Sequence, residues 1–279
     1  MEVREPVVAG YFYEGEKKLL LEQIKSCFLH KLGPGKLPEI KTGKRKIIGL
    51  VVPHAGYFYS GAIAAHAYHA LASDGNPQTF ILLGPNHTGI GMPISAIKNG
   101  RWLTPLGELT VDSALAEKLI DNKIVLEDPV AHSSEHSIEV QLPFLQFVYK
   151  KVKFVPICML DQSFEACTRL ANMIVKAAKN KDAVIIASSD FSHYEAYETA
   201  YAKDAKAIDA LNALDARRFY ERVLSLDISI CGYGPITTMM IVAKAVGAKS
   251  CEILKYATSG DVTGDKHEVV GYCAAMVKK

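Results

Sequence analysis

Short apolar runs alternate with amphipathic stretches along the whole chain. Residues 46–53, which include IIGLVVP, are β-rich and apolar on both faces, the pattern of a central parallel strand. Runs at 80–83, 153–159 and 183–188 predict further strands, 92–97 and 103–111 predict short ones turned at Asn99-Gly100 and across 105–107, and 252–258 and 269–277 the last two. Between them apolar positions return at helical spacing: Leu19, Leu20, Ile24, Cys27 and Phe28 within 17–29, then Phe164, Cys167, Leu170, Ile174 and Ala177 within 162–179. An alanine-rich helix is predicted over 61–71, one running to Ile120 from an Asp112 cap, and one over 141–149 with Pro143 in its first turn. Residues 198–224 read as one long or two shorter helices, and 235–246 as a helix closed by Gly247. The first 14 residues read as an extended arm. Alternation of this kind predicts an α/β fold, a mostly parallel central sheet flanked by helices. With no repeat and no linker, one domain over 1–279 is expected.

Composition narrows the function classes. The 49% hydrophobic and 22% charged residues are ordinary for a globular protein, and a formal charge of +2 from 32 basic and 30 acidic residues leaves no nucleic-acid footprint. The basic run 41–46 (KTGKRK) reads as a solvated loop. The opening residues lack the basic and apolar regions of a signal peptide, and no apolar run approaches the ~20 residues of a membrane span. Six cysteines (27, 158, 167, 231, 251, 273) are scattered with no CxxC pair, against a disulfide framework or a zinc knuckle. A reducing, cytoplasmic setting is the expectation.

Chemistry gathers at the ends of the predicted strands. VVPHAGYFYSG and LLGPNHTG each run from an apolar strand through a Pro or Gly to a histidine, His54 and His87. Ligands collect at the carboxyl ends of strands in open α/β sheets, and imidazole is the commonest metal ligand near neutral pH. In SSDFSHY, Asp190 and His193 lie three apart; on a helical turn they share a face, and the carboxylate can orient the imidazole for acid–base work. The alternative is that Asp190 caps a helix and His193 is solvated. Cys231, in CGYGP, precedes a predicted helix whose positive end favours thiolate, a nucleophile and a soft metal ligand; a small buried hydrophobe is the plain reading. The segment AHSSEHSIE holds His132, Glu135, His136 and Glu139 without the HExxH order, so Glu135 and His136 are read as supporting or substrate-contacting groups. Tyr57, Phe58, Tyr194 and Tyr233 are candidates to stack on a planar substrate, with packing at the strand ends as the alternative. GxGxxG, Walker A and GxSxG motifs are missing, which removes the usual nucleotide and serine-hydrolase routes.

VPHAGYFYSG, LLGPNHTG, EHSIEVQLPFLQ, SSDFSHY and CGYGPI, in that order and after an opening PVVAGYFYE, resemble the Memo family, including its bacterial and archaeal members of the AmmeMemoRadiSam system protein B type. The resemblance runs essentially end to end. It implies a fold similar to class III extradiol dioxygenases and a metal site of two histidines and a cysteine, here His54, His87 and Cys231. Asp190 and His193 would be the neighbouring polar pair, His193 matching the acid–base histidine of the dioxygenase-like site. A thiolate in place of the carboxylate of a 2-His-1-carboxylate triad departs from the usual iron(II) arrangement and favours copper, zinc or a redox-sensitive iron.

Two classes of function follow. One is a metal-dependent oxidoreductase using iron(II) or copper, with zinc also admitted, acting on a small molecule or peptide. The other is a non-enzymatic metal- or peptide-binding partner of AMMECR1-like and radical SAM proteins in a protein or RNA modification system, as the resemblance implies. A weaker third is a metallohydrolase using a metal-bound water.

Overall fold

A computed structural model describes residues 3–279. In chain order the elements are β1 (Val3–Arg4), α1 (Lys17–Leu29), β2 (Ile47–Val52), α2 (Tyr57–Asp74), β3 (Thr79–Pro85), β4 (Ile94–Ala96), β5 (Arg101–Thr104), β6 (Gly107–Val111), α3 (Ser113–Leu119) and β7 (Leu126–Glu127). There follow α4 (Leu142–Val148), β8 (Lys153–Met159), α5 (Phe164–Ala177), β9 (Ala183–Ser188), α6 (Tyr197–Asn212), α7 (Ala216–Ser225), α8 (Tyr233–Ala245), β10 (Ser250–Thr258), α9 (Ser259–Thr263) and β11 (Gly271–Lys278).

Among these residues, the strands form one 11-stranded sheet in the order β1-β5-β6-β8-β3-β9-β2-β11-β10, with β4 on β8 and β7 on β4. Its centre, β8-β3-β9-β2, is parallel, in a register that sets Leu82 beside Ile186 and Ile186 beside Leu50. Every residue of β3 is buried, because helices cover both faces and leave no wet side for polar residues. The helix α2 packs on β2 and β11 with α1 outside it, while α8 packs on β9, β2 and β3 alongside α5. Antiparallel β11 and β10 close one side of the sheet.

The four central strands run the same way, so their carboxyl ends share one edge. Main-chain hydrogen bonds continue past the strands there: Ser189 N donates to Val52 O at 2.9 Å and Asn86 N to Met159 O at 3.0 Å. The loops carrying His54, His87 and Asp190 therefore leave the sheet already tied to their neighbours.

Several predicted elements differ in extent. The helix α2 starts at Tyr57 rather than residue 61, with Gly56 at its cap, so the aromatic run YFY is helical and turns Tyr57 inward. Residues 198–224 divide into α6 and α7, the second capped by the Asp215 side chain. The basic run is only partly solvated: the Arg45 guanidinium clamps Asp182 at 2.8 Å and Asp74 at 3.2 Å, while its lysines are exposed. No helix among the described residues is long and apolar enough to cross a membrane. All six cysteines are free.

Candidate metal centre

His54 leaves β2 through Pro53 and is buried. Asp190, just beyond β9, holds its turn: Oδ1 accepts the main-chain N–H of His54 at 2.8 Å and of Ala55 at 3.3 Å. Burial, with the neighbouring histidines, keeps the His54 imidazole well below the usual histidine range, so the ring is neutral. Its Nδ1 meets Ser188 Oγ at 2.9 Å, and its Nε2 lies 3.2 Å from Cys231 Sγ.

His87 leaves β3 through Asn86, whose side-chain oxygen accepts the amides of Thr88 and Gly89. Glu135 then fixes it at two points. The main-chain N–H of His87 donates to Oε2 at 2.5 Å and the ring Nδ1–H to Oε1 at 3.0 Å, with Ser137 N also donating to Oε1 at 2.8 Å. Burial alone raises the Glu135 pKa. The hydrogen bond from His87, the two histidines and the Ser137 amide outweigh it and bring it down to about 2. A carboxylate bonded to Nδ1 leaves Nε2 of His87 as the ring's free nitrogen, the arrangement by which metal-binding histidines are commonly oriented.

His136 was placed by the sequence among the supporting groups; in the structure its ring joins the other two. It stacks on His87 at 4.7 Å and 21°, stands perpendicular to His54 at 5.5 Å, and receives the edge of Phe12 at 4.7 Å. One ring nitrogen from each of His54, His87 and His136 lies within 4.8 Å of the others. His132 sits apart from this group. It is buried edge-on against Trp102 at 5.8 Å, and burial together with Arg4 lowers its pKa to about 4.

Cys231, on the turn before α8, meets this group at His54 alone and is not among the three residues whose donor atoms lie together, so His136 stands where the expected set of two histidines and a cysteine had Cys231. Asp190 N donates to its Sγ at 3.2 Å. The expected effect of the helix terminus is overridden: burial, and then the Asp190 charge, push the thiol up, so without a cation it is protonated and faces His54 Nε2.

The expected helical turn at Asp190 and His193 is not formed. α6 begins only at Tyr197, and Asp190 neither caps it nor, among the described residues, hydrogen-bonds His193. Phe191 N donates to Gly271 O and Gly271 N to Ser192 O, which holds the loop against β11. The His193 ring is oriented instead by Ser229, whose carbonyl accepts Nδ1–H at 2.7 Å.

The aromatic candidates separate. Tyr57 is core: its hydroxyl donates to Val140 O at 2.7 Å and its ring packs on Phe144, so it offers no surface to a substrate. Tyr194 is 75% exposed, with φ at 56°, and Phe58 is 68% exposed. Tyr233 is half-buried against Tyr220.

Two supporting residues carried no sequence signal as such. Gln162 bridges the Cys231 turn, donating to Cys231 O at 2.9 Å and accepting from Gly234 N at 2.8 Å. Arg4 ties the amino-terminal arm to the segment bearing His136: it pairs with buried Glu139 at 2.7 Å and donates to the carbonyls of Glu135 and His132. A neutral amide, and an arginine far away in sequence, belong to no short motif.

These donors suit a transition metal. A tetrahedral ion with bonds of about 2.0–2.3 Å holds its donors roughly 3.3–3.7 Å apart, close to the 3.2 Å between Cys231 Sγ and His54 Nε2. The His54, His87 and His136 group can hold a metal ion.

An imidazole-rich donor cluster at the carboxyl edge of a mostly parallel sheet defines an α/β protein with a metal-type site. Residues 4–276 match the family model described as Memo-like protein. Curated relatives agree along their full length. MEMO1 family proteins of Methanopyrus kandleri and Thermotoga sp. are each 46% identical, the first over 99% of both chains and the second over 98% of this chain and 99% of its own. That of Sulfurisphaera tokodaii is 48% identical over 97% of both chains. The chain belongs to the Memo-like family, and its fold is consistent with the class III extradiol dioxygenase-like fold of that family.

Proposed function

We propose that this protein binds a redox-active transition metal, iron(II) or copper, on His54, His87 and Cys231 with His136 in reach, and acts as a metal-dependent oxidoreductase. The observation that carries the reading is the convergence of three imidazoles from three separate loops onto one sheet edge, with the Cys231 thiol 3.2 Å from one of them. Neutral imidazoles and a thiolate suit copper or iron and also accept zinc. When bound, the metal would supply electron transfer or Lewis acidity; the chain's own groups do the rest. Asp190 holds the turn of His54, and Glu135 keeps Nε2 of His87 free. In this reading His193 exchanges a proton at Nε2, since its Nδ1–H is committed to the Ser229 carbonyl. Exposed Tyr194 and Phe58 offer faces on which a planar substrate can stack.

Metal content after purification without oxygen tests the reading. Near-stoichiometric iron or copper is expected in the natural chain and its loss in His54→Ala, His87→Ala and Cys231→Ser. No specific metal in the natural chain, with the variants still folded, overturns it. Oxygen uptake that requires both the metal and His193 would then mark an enzyme, and binding without turnover a carrier.

A further inference from the structure

We propose that Ser188 and Gln141 are positioning residues that lock His54 in a single tautomer, proton on Nδ1, so that its Nε2 lone pair always faces the Cys231 thiol; the use of that lone pair for a metal rests on the function proposed above.

Two carbonyls fix the proton positions, because a carbonyl can only accept. Pro53 O lies 3.0 Å from the side-chain amide of Gln141, so the NH2 end of that amide must face it. This sets the Gln141 flip. Oε1 then accepts from Tyr68 OH at 2.6 Å, and the second hydrogen on Nε2 goes to Ser188 Oγ at 2.7 Å. A serine hydroxyl has one proton. Ser137 O, the second carbonyl, lies 2.6 Å from Ser188 Oγ and takes it. The remaining neighbour of Ser188 Oγ is His54 Nδ1 at 2.9 Å, and with the hydroxyl proton already given away that contact forms only if Nδ1 is the donor. A neutral imidazole carries one N–H, so Nε2 is left with a lone pair, 3.2 Å from Cys231 Sγ, whose S–H can donate to it.

Burial removes the alternatives. Tyr68, Ser137, Gln141, Ser188 and His54 are each at most 1% exposed, so water cannot replace a partner cheaply. Reversing the His54 tautomer leaves its Nδ1 and Ser188 Oγ with no proton between them, or takes the Ser188 proton from Ser137 O. His87 reaches the same outcome through a charged partner, Glu135; His54 does so through neutral groups alone.

Ring nitrogen shifts of His54 in metal-free, 15N-labelled protein read the tautomer directly, with no metal and no activity needed. The expected spectrum has a protonated Nδ1 and an unprotonated Nε2. A His54 protonated at Nε2 in the natural chain overturns the proposal even if every variant fails to fold. Ser188→Ala is expected to move the proton partly to Nε2 and to weaken cobalt(II) binding, titrated without oxygen, by about 10–100-fold; Ser188→Thr, which keeps the hydroxyl, is expected to restore both. An Ser188→Ala variant with unchanged shifts and unchanged cobalt(II) affinity also overturns it. If the natural chain shows the expected tautomer yet binds no cobalt(II), the positioning of His54 stands and the metal reading falls.

Discussion

Asp204, buried on α6, accepts the hydroxyl of Ser192 at 2.7 Å and through it anchors the loop that presents Asp190 and His193. The Ser192 amide and the Tyr256 hydroxyl also donate to it. Burial raises its pKa, and these three donors only partly offset that, leaving it at about 6. The native state therefore binds a proton more tightly than the unfolded chain does. This contribution to stability is complete below the unfolded value near 3.8 and is lost as pH rises through about 6. Relative to Asp204→Asn, the natural chain should lose roughly 1–2 kcal/mol between pH 5 and pH 7.5. Urea denaturation at both pH values measures it, and identical pH dependence in the two proteins counts against the assignment.

Glu135→Gln keeps the shape beside His87 but removes the carboxylate that orients its ring. Metal affinity should fall by about 10–100-fold with the fold intact. Anaerobic titration with far-UV circular dichroism separates the two effects; full affinity in the variant would mean that the Asn86 turn alone suffices.

Gly234 lies directly against the Gln162 side chain. A Cβ there would lie 2.8 Å from Gln162 Cβ and 2.9 Å from Oε1, so Gly234→Ala must push the clamp off the Cys231 turn. A loss of about 1–3 kcal/mol is expected, with weaker metal retention. Gln162→Ala should reproduce the second effect through loss of the clamp rather than crowding. Wild-type metal retention in both would show that the Cys231 turn holds itself.

Arg4 supplies the positive partner of Glu139 inside the protein, where Val7 N, Val8 N and Tyr13 OH also donate to the carboxylate. Removing it in Arg4→Ala leaves a buried negative charge short of its counter-ion, a loss of about 3 kcal/mol or more. Arg4→Lys should recover little, because one ammonium cannot serve Glu139, Glu135 O and His132 O together. Chemical denaturation of both variants is the measurement, and a lysine variant as stable as the natural chain contradicts the forked-contact argument.

The strands and the edge that carries the site were legible because β2, β3, β8 and β9 are apolar on both faces, and Asp112 caps α3 through Leu115 N as its position foretells. The loop 189–196 was not. Its residues have the composition of a helix start, but its hydrogen bonds go to Gly271 and Asp204, far along the chain. Tyr57 misled for the opposite reason: it lies beside the His54 turn in sequence, yet helix α2 begins at Tyr57 itself and rotates that side chain into the core. His136 was separated from its true neighbours because stacking on His87 depends on a fold-back that no local spacing encodes.

The sequence distances inside the cluster also set an order of assembly. His87 and Glu135 are 48 residues apart, His54 and Asp190 136, and His54 and Cys231 177. During synthesis, which delivers the amino-terminal part first, the imidazoles emerge long before the sulfur. An emerging polypeptide can present nitrogen donors to an ion but cannot yet set a thiolate beside it. Because β11, which pairs with β2 and holds the Asp190 loop through Gly271, is made later still, the sulfur and the His54 ring are set side by side only when nearly the whole chain is in hand.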